Sequence, residues 1–114
     1  MAELITVDVD YSFDGDKRYY AISLSTHTWL MLIHIPPEEV PRLSEVTSRP
    51  WDQGALRIGD SAGASAFWST NGEEDRDVVV IVIGQDDETW DISVAIPATT
   101  IDSILDAIKS LDAP

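Results

Sequence analysis

The chain has 114 residues, 44% of them hydrophobic, and its 21 acidic and 7 basic side chains leave a formal charge of -14. That length supports a single domain with a buried core, and that apolar content excludes a disordered acidic tail. So negative a surface repels nucleic acid phosphates and anionic membranes and favours a cationic protein partner, while the absence of cysteine excludes disulfides and thiolate metal sites.

Residues 4 to 13 alternate, with Ile5, Val7, Val9, Tyr11 and Phe13 on one face and Thr6, Asp8, Asp10 and Ser12 on the other, which predicts a strand with one wet side. Asp14-Gly15-Asp16-Lys17 turns the chain into a second strand over 18 to 25, and Ser25 to Thr28 leads to a third, Trp29 to Ile35, apolar on both faces. Pro36-Pro37 ends it. A short helix to about Val46 follows, with Glu38 and Glu39 at its start, and it accommodates Pro41 only in a first turn. Thr47 to Gly54 reads as a linker carrying Trp51. Strands at about 55 to 59 and 64 to 70 come next, then an acidic turn at 71 to 75, a doubly apolar strand Val78 to Ile83, a second acidic turn, and Trp90 to Ile96. A final helix from about Ala98 to Leu111, capped by Thr99 or Thr100, buries Ile101, Ile104, Leu105, Ile108 and Leu111.

Thr28-Trp29, five residues, Ile35-Pro36, Val40 and Leu43 recur as Thr89-Trp90, five residues, Ile96-Pro97, Ile101 and Ile104. The expected fold is therefore α+β, one domain over 1–114: a mostly antiparallel sheet of about seven strands with two helices on one face, built by internal duplication of halves at about 1–48 and 62–111. Trp29 and Trp90, equivalent in the repeat, are expected in the core. Leu30, Leu32, Val79, Ile81 and Ile83 suggest that the second sheet face is partly apolar as well, as core filling or as an interface.

No chemical motif stands clear of a plainer reading. Gly59-Asp60-Ser61-Ala62-Gly63 satisfies Gly-x-Ser-x-Gly, but a nucleophile elbow needs a strand-to-helix turn and here strands flank it. Asp8, Asp10, Asp14 and Asp16 do not have the spacing of a calcium loop. His27 and His34 alone make no zinc site. No phosphate loop or dinucleotide fingerprint is present, so no catalytic residue, metal or cofactor is expected. The amino terminus lacks the basic region of a signal peptide and no apolar run approaches a membrane span, which points to the cytoplasm.

The acidic turns carry the binding expectation. Glu73, Glu74, Asp75 and Asp77 lie in one, Asp86, Asp87, Glu88 and Asp91 in the next, bordered by Trp68 and Trp90, with Trp51 in the linker as an exposed anchor. Carboxylates would speed encounter with a basic partner and aromatics would hold it. Phe67-Trp68-Ser69, Glu88-Thr89-Trp90, Ile96-Pro97 and the closing Ile104-Leu105-Asp106-Ala107-Ile108 resemble small bacterial immunity proteins of polymorphic toxin systems over the carboxyl-terminal half. Those proteins add a tryptophan-bearing strand after the helix, and the sequence through Pro114 shows none. The resemblance implies a non-catalytic inhibitor that covers a toxin's basic active site. A homo-oligomeric structural or accessory protein, a homodimer included, and a small-molecule-binding domain are the alternatives.

Overall fold

Alternation at the amino-terminal end does become a half-buried strand. The computed structural model describes residues 5–49, 54–72, 75–86 and 88–113. Among them, β1 Thr6–Asp14, β2 Lys17–Ser25, β3 Leu30–Ile35, β4 Leu56–Ser61, β5 Ala64–Thr70, β6 Val78–Gly84 and β7 Trp90–Pro97 form one antiparallel sheet in chain order. A 3-10 helix, Pro37–Glu45, lies between β3 and β4, and α1, Thr99–Asp112, follows β7. The fold is α+β and mostly sheet.

Turn chemistry sets the hairpin registers. Gly15 alone has positive φ in the β1–β2 turn, the pattern of a type II′ turn with glycine at its first central position, and Asp14 pairs with Lys17 across it. Between β4 and β5 both Ala62 and Gly63 have positive φ, as a two-residue type I′ turn requires. The Gly-x-Ser-x-Gly segment is thus the end of a strand and a tight hairpin: Ser61 pairs with Ala64.

One core collects the inward residues of six strands, among them Ile22, Leu24, Ile33, Ile35, Ile58, Trp68, Val79, Ile81 and Ile96, together with Leu43 of the 3-10 helix and Ile101, Ile104 and Ile108 of α1. Val79, Ile81 and Ile83 therefore belong to the core, not to the second face. Leu30 and Leu32 do lie on that other face, 70% and 45% exposed. A flat sheet of seven strands would be about 29 Å wide, whereas a 14-residue helix is only about 21 Å long. Yet α1 leaves β7 at one border and packs against β1 at the other. Strong coiling of the sheet reconciles the two, and it follows from the right-handed twist of successive strands.

Two helix expectations need correction. Pro41 sits mid-element, not in a first turn, because the element is a 3-10 helix. Prolines at 37 and 41 stand four apart, so the α-helical bond between those positions has no donor. The residue capping α1 is Ala98, with no side-chain cap, and Thr100 is buried. The chain is positioned there by backbone instead: Ala98 N–H donates to the Asp77 carbonyl at 2.7 Å and Ile101 N–H to the Ala98 carbonyl at 3.1 Å.

The other end of α1 is held by charge-assisted bonds. The Asp112 carboxylate accepts the hydroxyls of Tyr11 on β1 and Tyr20 on β2, each at 2.5 Å. Arg18 lies 4.9 Å from the Tyr11 ring centroid and 5.5 Å from that of Tyr20. The two hydroxyls hold the Asp112 carboxyl below its ordinary value, and the same bonds raise both phenols. A lowered carboxyl contributes stability that is complete above its unfolded value of about 3.9 and is lost as pH falls through the folded one. Raised phenols contribute stability that is complete below about 10 and is lost as pH rises through their folded values. Asp112→Asn is expected to lower the melting temperature at neutral pH and to flatten the acid side of a melting-temperature profile. An unchanged acid side would remove Asp112 from the clasp.

Candidate functional site

Among the described residues the sheet shows two register shifts, and they determine what its surface presents. In β4 the register shifts between Arg57, opposite Phe67, and Asp60, opposite Ser65, so Ile58 and Gly59 together face the single residue Ala66. Such a bulge leaves ladder groups without their usual partners. Here side chains take them up: the Trp68 indole N–H donates to the Ile58 carbonyl at 3.0 Å, and Gly59 N–H donates to Glu39 Oε1 at 2.9 Å. Glu39, mostly buried, also lies 3.8 Å from the Arg42 guanidinium and 3.9 Å from that of Arg57. Trp68 is fully buried, so its expected role as a surface anchor is corrected. It fills the core beneath the bulge and satisfies a backbone carbonyl there.

The second irregularity lies in β7. Ile83 faces Ile92 and Gly84 faces Trp90, so Asp91 is the extra residue. A Cβ on Gly84 would come within 2.3 Å of the Trp90 Cα, so the strands approach closely there and only glycine fits. The bulge re-aims the start of β7. Trp90 is 47% and Ile92 51% exposed, which corrects the expectation that Trp90 would be buried like its repeat counterpart Trp29. Trp29 packs against the core.

Asp86, Glu88 and Asp91, near Trp90 in sequence, are exposed. Asp86 also has a local structural task. Its Oδ1 accepts the backbone N–H groups of Glu88 at 2.8 Å and Thr89 at 2.6 Å, and these bonds hold its carboxyl below the ordinary value. The turn is an Asx turn that keeps its carboxylate ionised.

Asp75 and Asp77 are exposed in the β5–β6 turn. That turn and the β6–β7 turn sit at opposite ends of β6, whose seven residues span about 20 Å. Among the described residues the acids therefore form two groups and not one patch. Trp51, Glu73, Glu74 and Asp87 lie outside the described residues.

Elsewhere the surface carries a cleft of about 500 Å³ lined by Lys17, Arg18, Pro36, Glu39, Arg57 and Asp60. Its Glu39 carboxylate and Arg57 guanidinium are already engaged with each other, with Gly59 and with Ser65. Among the described residues no three carboxylates or imidazoles converge to hold a metal ion, and no helix is long and apolar enough to cross a membrane. Compared with protein-family models, with curated proteins and with solved structures, the chain matches none.

The exposed pair Trp90 and Ile92 was hidden by the repeat, which equates Trp90 with Trp29. Two signals were available: the charges at 86, 87, 88 and 91 crowd this tryptophan, and a strand that comes last in a meander of hairpins forms its border.

Proposed function

We propose that this protein is a non-catalytic, acidic protein-binding module that docks on a basic protein and covers it. One observation carries the reading: Trp90 and Ile92, two residues apart on a border strand, are both half exposed, and the exposed acids Glu88 and Asp91 flank them in sequence. Burying Trp90 or Ile92 against a partner supplies apolar contact area, and the exposed Asp86, Glu88 and Asp91 supply negative charge at the same end of β7. No lysine or arginine occurs between Arg76 and Lys109, so that negative charge is undiluted within this segment. The resemblance to toxin immunity proteins supplies the biological setting, an immunity protein or antitoxin in the cytoplasm that occludes a toxin's basic site.

The same reading treats β2, β3 and the 3-10 helix as one copy, and β6, β7 and α1 as a second, of a duplicated unit with its helices on one side of the sheet. Ile35-Pro36 and Ile96-Pro97, each closing a strand just before a helical element, support it. Leu30 and Leu32, exposed on β3, favour a second functional reading as a homodimer.

The test is charge reversal at Glu88→Lys with Asp91→Lys, sparing Asp86 because its carboxylate holds the turn. A basic protein retained from native lysate by the wild-type chain at low salt, released at high salt and bound about tenfold more weakly by the double variant is the expected result. Equal retention by the double variant removes these acids from the binding site. A mass that doubles with concentration and returns to monomer in Leu30→Asp would favour the dimer.

A further inference from the structure

β7 borders the sheet. It pairs with β6, and among the described residues no strand lies along its other side. Backbone bonds at the end of the hairpin determine which of its groups point outward. Ala98 N–H donates to the Asp77 carbonyl at 2.7 Å, one step beyond Val78 opposite Pro97, and Asn71 N–H donates to the Val78 carbonyl at 2.9 Å from the β5 side. Val78 thus turns towards β5, and Asp77 towards Ala98. Residues of an antiparallel ladder alternate between bonding one neighbour and bonding the other. Ile92, Val94 and Ile96 therefore face β6 with their N–H and C=O groups, whereas Ser93 and Ala95 direct theirs to the open border. Both residues are exposed.

An open border is a template for another strand, and proteins commonly blunt it with lysine, proline or a bulge. Here the bulge is confined to Asp91 and the proline to position 97. The stretch Ile92-Ser93-Val94-Ala95-Ile96 has no charge, no proline and three β-branched residues. Its flanks are acidic at both ends: Asp86, Glu88 and Asp91 where β7 starts, Asp75 and Asp77 beside the place where it finishes. The two acidic turns, too far apart for one patch, bracket one strand-length stretch of open border. Pairing of this border with a second copy would bring the acids of two chains of charge -14 together, so the charge selects a cationic occupant.

We propose that the open border of β7 takes up an extended lysine- or arginine-rich segment of the partner protein as an eighth strand. The inference rests on the reading of the chain as an acidic binding module, and it specifies the mode: backbone pairing at Ser93 and Ala95 supplies register, while the flanking carboxylates supply attraction.

The experiment titrates the full chain with a blocked eight-residue peptide of alternating lysine and valine. Heat of binding and amide hydrogen exchange are followed together. In the free chain the Ser93 and Ala95 amides are expected to exchange rapidly beside protected Ile92, Val94 and Ile96. With peptide bound, exchange at Ser93 and Ala95 is expected to slow at least about tenfold. Ser93→Pro, which removes an outward donor and no bond to β6, is expected to weaken the peptide about tenfold. The peptide N-methylated on either set of alternate residues, which leaves the protein untouched, should bind more weakly in at least one of its two forms. Binding heat without protection at Ser93 and Ala95 overturns strand addition while leaving the acidic-module reading intact. Absence of both binding heat and protection at Ser93 and Ala95 overturns strand addition, while the acidic-module reading stands or falls on the charge-reversal test. A Ser93→Pro-sensitive dimer of the free chain would replace the basic occupant by a second copy.

Discussion

Trp68→Ala is expected to destabilise the protein by about 3–5 kcal/mol, the range for a large buried aromatic truncated to alanine. The side chain is fully enclosed at the centre of the core, and the substitution leaves a cavity there. It also removes the indole N–H that the Ile58 carbonyl accepts at the β4 bulge, and a buried carbonyl without a partner costs about 1–3 kcal/mol by itself. Urea unfolding measures the loss as a lower midpoint at similar slope. Trp68→Phe separates the two contributions, since it keeps most of the volume and loses the donor. A surface anchor would behave in the opposite way. Alanine at such a position would leave the unfolding midpoint in place and weaken a partner, so an unchanged midpoint would reinstate Trp68 as a contact residue.

Gly59→Ala is the second large effect, at roughly 2–4 kcal/mol from left-handed backbone strain together with overpacking. Gly59 has φ of 71°, and a Cβ there would lie 2.5 Å from the His34 carbonyl oxygen and 2.8 Å from the Ile35 side chain. Relief by movement of β4 would disturb the Glu39 bond to Gly59 N–H and the His34–Asp60 pairing that links β3 to β4. Gly15 provides the internal control. Its φ of 62° is similar, but nothing lies within 4 Å of an added Cβ. Gly15→Ala should therefore lose only the backbone share, about 1–2 kcal/mol. Equal losses at both glycines would show that contact with His34 contributes nothing.

Much of the architecture was legible because it is written in nearest-neighbour patterns. Alternation in residues 5 to 13 marked β1, apolar runs at 30 to 35 and 78 to 83 marked the interior strands β3 and β6, and the Ile101, Ile104, Ile108 stripe marked α1. The binding surface was harder to read for a physical reason. A bulge shifts one residue of register, and that shift decides which way a side chain faces. Identical Thr-Trp pairs therefore end differently: Trp29 packs on the core, whereas Asp91 as an inserted residue leaves Trp90 half exposed. Trp68 looked like a border residue beside the acidic turns, and only the missing ladder partner of Ile58 explains why an indole is needed inside.

By itself the sequence determined the class, the strand and turn sequence, the excess of negative charge and the lack of a recognisable catalytic motif, since these depend on composition and on periods of two to four residues. Tertiary structure alone decided that the acidic turns stand at opposite ends of β6, that Trp68 lies within and Trp90 without, and that Ser93 and Ala95 turn their backbone groups to an open border. Those outcomes depend on register and on which strand lacks a neighbour, and both are properties of the assembled sheet.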